Sequence, residues 1–266
     1  MKIILSRKGF DSGAGGAPSP IIDGRPVGLP IPTERRSVTT YGDLGLGDVV
    51  ERVTRGRLAR SSLCHHDPMF ASGRVAFGQT GRAQSHLGNQ HVGVGDIFVF
   101  FGLFADEDGR DRHHRIFGYL EVERVMAIGS EPNESDQPPG FARRHPHTIG
   151  EWEPNNTIYV GTGDVAATAN ENLRLSRAGE QVSRWRVPPW LRAAGLTYHA
   201  NQDRWDGDET LTVVGRGQEF VSDISEVPEA SAWLAGVKAA IADGEMVRRS
   251  TVGDAAPAAR RARGGS

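Results

Sequence analysis

Gly93-Val94-Gly95-Asp96-Ile97-Phe98-Val99-Phe100-Phe101-Gly102 is a glycine-bounded run of aromatic and β-branched residues. Such a run reads as a strand. After a charged turn, Asp106 to His114, the stretch Arg115-Ile116-Phe117-Gly118-Tyr119-Leu120-Glu121-Val122-Glu123-Arg124-Val125 alternates apolar and polar residues over several positions. The two predict an antiparallel hairpin with a connection of about 8–10 residues, longer than a tight turn.

Outward from the hairpin, Ile3-Ile4-Leu5 is a short buried strand that stops at Ser6-Arg7-Lys8-Gly9 and delivers a glycine-rich loop. Five prolines between residues 17 and 36 make the next stretch extended or turn-like. Val49, Val50, Val53 and Leu58 predict a helix over about 47–58, with Asp48 favouring its start. Thr157-Val160 reads as a strand and Leu173-Ser176 as a weaker one, while Trp185-Leu191 is irregular. Leu211-Val214 and Glu219-Val221 are short strand candidates, and Ala230-Ala242 is the best helix, with Trp233, Leu234, Val237, Ala240 and Ile241 on one face. The fold class expected is α+β: a β-rich mixed single domain over residues 1–246, with a twisted antiparallel sheet or small barrel and few helices. It closes with a C-terminal helix and a disordered basic tail over 247–266.

Composition excludes several classes. The 266 residues are 38% hydrophobic and 24% charged, with a formal charge of −2, 34 glycines and one cysteine. Cys64 alone makes neither an internal disulfide nor a cysteine-rich zinc motif. No long apolar stretch and no signal-peptide pattern is present, so a cytoplasmic protein without a membrane partner is expected. The near-neutral balance argues against a basic footprint covering the whole protein.

Five stretches could carry chemistry. In the first, Ser6, Arg7 and Lys8 precede a glycine-rich loop suited to phosphate, with Asp11 as a carboxylate. The second is Cys64-His65-His66-Asp67-Pro68, where alternation on an extended chain puts His65 and Asp67 on one side as acid–base candidates and His66 on the other. Cys64 reads as a buried cysteine beside a turn. The third, Gly78 to His91, reads as a polar connector or as a set of base-edge readers: Gln79, Gln84, His86 and Asn89. The fourth is aromatic, with Trp152, Trp185, Trp190, Tyr198 and Trp205 and with His199 beside Tyr198; one or two should face a ligand. In the fifth, Arg216 and Gln218 sit in a glycine-flanked turn before Glu219, a further acid–base candidate. A metal finds little support, because His65-His66, His113-His114 and His145-Pro146-His147 lack HExxH spacing or cysteine partners, and the two in the charged turn should be solvated. No cofactor is named by the sequence.

The opening MKIILSRKGFDS, then CHHDP, AFGQTGRAQSHLGNQHVGVGDIFVFFGLF, HRIFGYLEVERV, WRVPPWL, LTYH and GRGQEFV occur in an order that resembles the bacterial and phage family of nucleotide modification associated domain 3, from Met1 to about Trp233. The hairpin by itself is similar to PUA, ASCH and EVE-like domains. The first resemblance implies association with nucleotide modification in phage-related settings, and the second a pocket for a modified base. The expected function is recognition or processing of a modified nucleotide or DNA base, and the alternative is a non-catalytic PUA- or EVE-like reader. A small-molecule hydrolase unrelated to nucleic acid stays open.

Overall fold

In the computed structural model, residues 1–215 and 219–253 are described. Arg216, Gln218 and residues 254–266 of the tail expected over 247–266 lie outside them, while 247–253 continue the last helix. The described strands are β1 (Lys2–Arg7), β2 (Ser19–Ile22), β3 (Arg25–Pro26), β4 (Met69–Ala71), β5 (Arg74–Gln79), β6 (Ile97–Ala105), β7 (His113–Ala127), β8 (Thr157–Val165), β9 (Arg184–Arg186), β10 (Trp205–Asp206), β11 (Thr210–Thr212) and β12 (Glu219–Asp223). The helices are α1 (Gly47–Thr54), α2 (Gly81–Asn89), α3 (Trp190–Ala194) and α4 (Pro228–Gly253).

A mixed sheet runs in the order β12-β1-β6-β7-β8-β5-β4, with β2 and β3 attached at the far end of β6. The predicted hairpin is its centre: Ile97 faces Glu121 and Phe104 faces His113, with a register shift at Phe100/Phe101. The pairing of β1 with β6 is parallel and that with β12 antiparallel, so the sheet is mixed and not purely antiparallel. The continuous apolar run of β6 follows from burial on both faces. Ile97, Val99 and Phe101 join Ile3 and Leu5 beneath Trp185, Leu211, Leu234 and Val237, where β9–β11 and α4 cover them. Phe98 and Phe100 face the other way with Ile4, Phe77, Leu87 and Tyr159. Between β1 and β4 the chain builds a small core of its own from Phe10, Leu29, Tyr41, Val50 and Cys64.

Four local expectations are corrected. The helix over 47–58 ends at Thr54, because Arg55 turns into the left-handed region and its N–H bonds back to the helix. The supposed connector after Gly78 is the end of β5 followed by α2. Its composition hides the helix, since only Leu87 is buried and Gly81 and Gly88 weaken helix propensity. Its first turn is pinned from outside by Asn155, whose amide accepts from the Gly81 N–H at 2.8 Å and donates to the Gly81 carbonyl at 2.8 Å. Leu173-Ser176 is no strand; a 3-10 turn, Glu171–Leu173, leads into isolated bridges to Arg115 and Trp185. His113 and His114 are buried at the start of β7 and not solvated, because the strand begins earlier than the charge pattern suggests. There the indole N–H of Trp185 donates to His114 Nδ1 at 3.0 Å.

Two measurements test this packing. On β8 a Cβ at Gly161 would sit 1.7 Å from the Glu121 carbonyl oxygen, closer than any atom tolerates. Gly161→Ala is therefore expected to lower unfolding free energy by about 3 kcal/mol, the upper end for overpacking, read by urea denaturation. Burial pushes the His114 imidazole down to about 3, with the Arg7 and His113 charges adding to it. The unfolded chain then binds the extra proton, so stability falls with pH from 6.5 towards 3 by up to about 1.4 kcal/mol per unit for this group. His114→Asn keeps an acceptor for Trp185 and should flatten that slope in melts run across this range.

Candidate functional site

The small core around Tyr41 and Cys64 ends in an extended segment that carries the site. The Cys64 and His65 amides bond the carbonyls of Thr39 and Ile31, and a turn from His65 to Asp67 brings the carboxylate onto β5. There the Gly78 N–H donates to both Asp67 oxygens at 3.1 and 3.2 Å. His65 and Asp67 line one cleft, while His66, not His65, lines the cavity on the other side of Asp67.

The Asp67 side chain is 4% exposed and meets imidazoles from two segments. His65 Nε2 lies 3.6 Å from Oδ2, His147 Nε2 3.7 Å from Oδ2 and His145 Nε2 3.4 Å from Oδ1. The last two come from a 3-10 turn, Pro146–Thr148, in which His145 Nδ1 accepts the His147 N–H. Glycine at residue 78 is required for this approach, because a Cβ there would lie 2.3 Å from His147 Cδ2. Burial opposes the charge on Asp67, but His145 and His65 turned towards its oxygens outweigh it and hold the carboxyl well below the usual carboxylate range. Burial pushes His147 down to about 3 against the pull of Asp67 and keeps it neutral. The Trp152 ring stacks on the His147 ring at 4.1 Å, and the Arg36 guanidinium lies 4.3 Å from the Trp152 centroid. His65, Asp67 and His147 are the residues that could hold a metal ion.

The cleft above this cluster has a volume of about 610 Å³. Its wall carries Arg7, Lys8, Arg35 and Arg36 against the carboxylates of Asp11 and Asp67, which makes it net basic in a chain of net charge −2. Arg35 and Arg36 are exposed at the rim. Arg7 donates to the Val214 and Gly215 carbonyls, and Lys8 is paired with Glu219 at 2.8 Å. The Gln79 amide is engaged at both ends, donating to Glu219 and accepting the Thr80 N–H.

The sequence candidates therefore divide. Arg7, Lys8, Asp11, His65, Asp67 and Gln79 line one cleft, and Glu219 lies buried behind Lys8 and Gln79. Asp11 closes its own turn by accepting the Gly13 and Ala14 N–H groups. Ser6 is fully buried in β1 and does not line the cleft. Gln84, His86 and Asn89 sit on α2 outside it, where Gln84 accepts from Tyr159 and His86 pairs with Thr197. Trp185 and His199 are core residues: Trp185 is fully buried on His114, and His199 bonds the Thr197 carbonyl and the Val214 N–H. Tyr198 is half exposed beside His86, and of the five ring residues Trp152 alone lines this cleft. Cys64 is fully buried in the small core, as expected, and burial pushes its thiol up to about 12.

Sequence reasoning missed His145, His147 and Asn156. Asn156 accepts from His147 Nδ1 at 2.6 Å and donates to the carbonyls of Gly129 and His147. The one local signal was the alternation of His145 and His147 around Pro146, which suits a short turn presenting two rings.

Among curated proteins and solved structures no match to the chain is found. A family model described as nucleotide modification associated domain 3 matches residues 2–223, which span the whole sheet and every residue of the Asp67 cluster. The chain belongs to the nucleotide modification associated domain 3 family.

Proposed function

We propose that the chain is an enzyme that processes a nucleotide or a DNA base in the cleft above Asp67. One observation carries this reading: a nearly inaccessible carboxylate, ringed by three imidazoles, forms the floor of a basic cleft. Binding alone needs shape and hydrogen bonds. Positioned groups able to take and return protons are what reaction demands. His65, 17% exposed, is the imidazole with access to a ligand, and Asp67 orients it. Arg35 and Arg36 at the rim suit a phosphate, and the family's association with nucleotide modification supports a ligand of that class.

Among the described residues, Gln79 is engaged with Glu219 and Thr80, and the base-edge readers expected after it lie on α2, outside the cleft. The buried carboxylate with its imidazoles is the part of the described cleft that binding alone does not account for, which favours the enzyme. No described helix is long and apolar enough to cross a membrane.

The test incubates the chain with free nucleotides and short oligonucleotides, unmodified and base-modified, at several salt concentrations, with products read by mass spectrometry. A mass change in base, sugar or phosphate is expected. Asp67→Asn should reduce turnover by about a hundredfold or more, the scale of acid–base catalysis, with affinity kept within a few-fold. Gly78→Ala should displace the His147 ring and cost about a hundredfold through misplacement, with folding checked by thermal melting. Replacing Arg35 and Arg36 together by Ala should weaken binding about tenfold, as lost charge-assisted contacts would, and leave turnover at saturation unchanged. Selective binding without any mass change would make the chain a reader, and no binding at low salt would overturn a nucleotide ligand altogether.

A further inference from the structure

We propose that His65, Asp67 and His147 bind one divalent transition-metal ion at the floor of the cleft. The proposal deepens the reading of this cluster as a reaction centre and rests on it for what the ion would do. With the ion bound, His65 and Asp67 are its ligands, and proton transfer passes to a group bound at the ion. Whether the ion binds is answered without any substrate.

The argument begins at Asn156, 1% exposed. Its side-chain NH₂ donates to two backbone carbonyls, Gly129 and His147, which fixes which end of the amide is oxygen. That oxygen faces His147 Nδ1 at 2.6 Å, so Nδ1 carries the proton. In the neutral ring the lone pair is then on Nε2, and Nε2 points at Asp67 Oδ2, 3.7 Å away. A lone pair aimed at a carboxylate oxygen in a buried site is repulsive. A cation between them turns both into ligands.

His145 plays the opposite part. Its Nδ1 accepts the His147 N–H, which leaves the proton on Nε2, facing Asp67 Oδ1 at 3.4 Å. The Gly78 N–H thus bridges both carboxylate oxygens and His145 Nε2 faces Oδ1, while Oδ2 also faces the two remaining imidazoles. Orienting partners behind the ligands, here Asn156 for His147 and the Gly78 N–H for Asp67, are the usual surroundings of a metal site. The three ligand atoms lie within 4.8 Å of one another, and the two measured to Asp67 are 3.6 and 3.7 Å. A tetrahedral ion with bonds of about 2.1 Å spaces its ligands roughly 3.4 Å apart, so small side-chain shifts close the site. Two imidazoles and one carboxylate select zinc, iron, manganese or cobalt over magnesium and calcium. Because His65 and Asp67 border the cleft, the remaining coordination positions open towards a ligand there.

Chelator-treated chain titrated with Co²⁺ without oxygen should develop visible absorption that saturates at one ion per chain. Zn²⁺ should compete with it and raise the melting temperature. His147→Ala and Asp67→Ala should abolish both responses, and Asn156→Ala should weaken binding about 10- to 100-fold, as loss of an orienting partner does. His86→Gln, on α2, should bind as the unaltered chain does. Any variant that binds no metal counts only if its circular dichroism and its melting without metal show a folded protein. No cobalt spectrum and no zinc-induced shift in the unaltered chain would overturn the proposal, as would full binding by folded His147→Ala. Metal binding with no nucleotide turnover would uphold this site while removing the enzyme reading, so the two failures are distinguishable.

Discussion

Keeping Asp67 ionised while it is almost completely withdrawn from water is the constraint on which the site depends. An unpaired buried carboxylate is costly, and it persists only where donors and cations gather around it. Here the Gly78 amide on β5 donates to both Asp67 oxygens, and three imidazoles gather around the carboxylate: His65 from the chain that leaves the small core, and His145 and His147 from the segment of the 3-10 turn. Each depends on the others. The His147 ring reaches Asp67 because residue 78 has no side chain, and Trp152 stacked on that ring holds its plane.

The cleft wall adds a second, weaker electrostatic layer. Lys8 is largely neutralised by Glu219, while Arg7 keeps its charge but is fixed in place by two backbone carbonyls. Arg35 and Arg36 at the rim keep their charge exposed. The fixed ion pair lies deep and the accessible cations lie at the mouth. That arrangement draws an anionic group to the entrance and leaves the Asp67 floor to whatever the anion carries.

How much was legible follows from how local each signal is. The β6–β7 hairpin, the β1 strand and the helix near residue 230 carry their burial in short-range periodicity, and the sequence announces them. The shared face of His65 and Asp67 is also local, because two residues apart on an extended chain point the same way. Helix α2 was hidden because its hold is Asn155, far along the chain, and not its own apolar stripe. His145 and His147 were hidden for the same reason: their partners, Asp67 and Gly78, belong to another segment. Trp185 misled because a large ring in a stretch that reads as irregular suits a pocket wall, yet it fills the space over Phe101 and His114.

The placement of β1 bears on the order in which the chain can fold. Lys2–Arg7 precedes the other strands in the chain, but both strands that flank it, Ile97–Ala105 and Glu219–Asp223, are distant in sequence. Closing such loops is slow relative to local contacts. The small core around Tyr41 needs only residues near it and is free to settle early. Lys8 meets its counter-charge only where Glu219 docks, so this wall of the cleft is complete only when β12 has closed on β1.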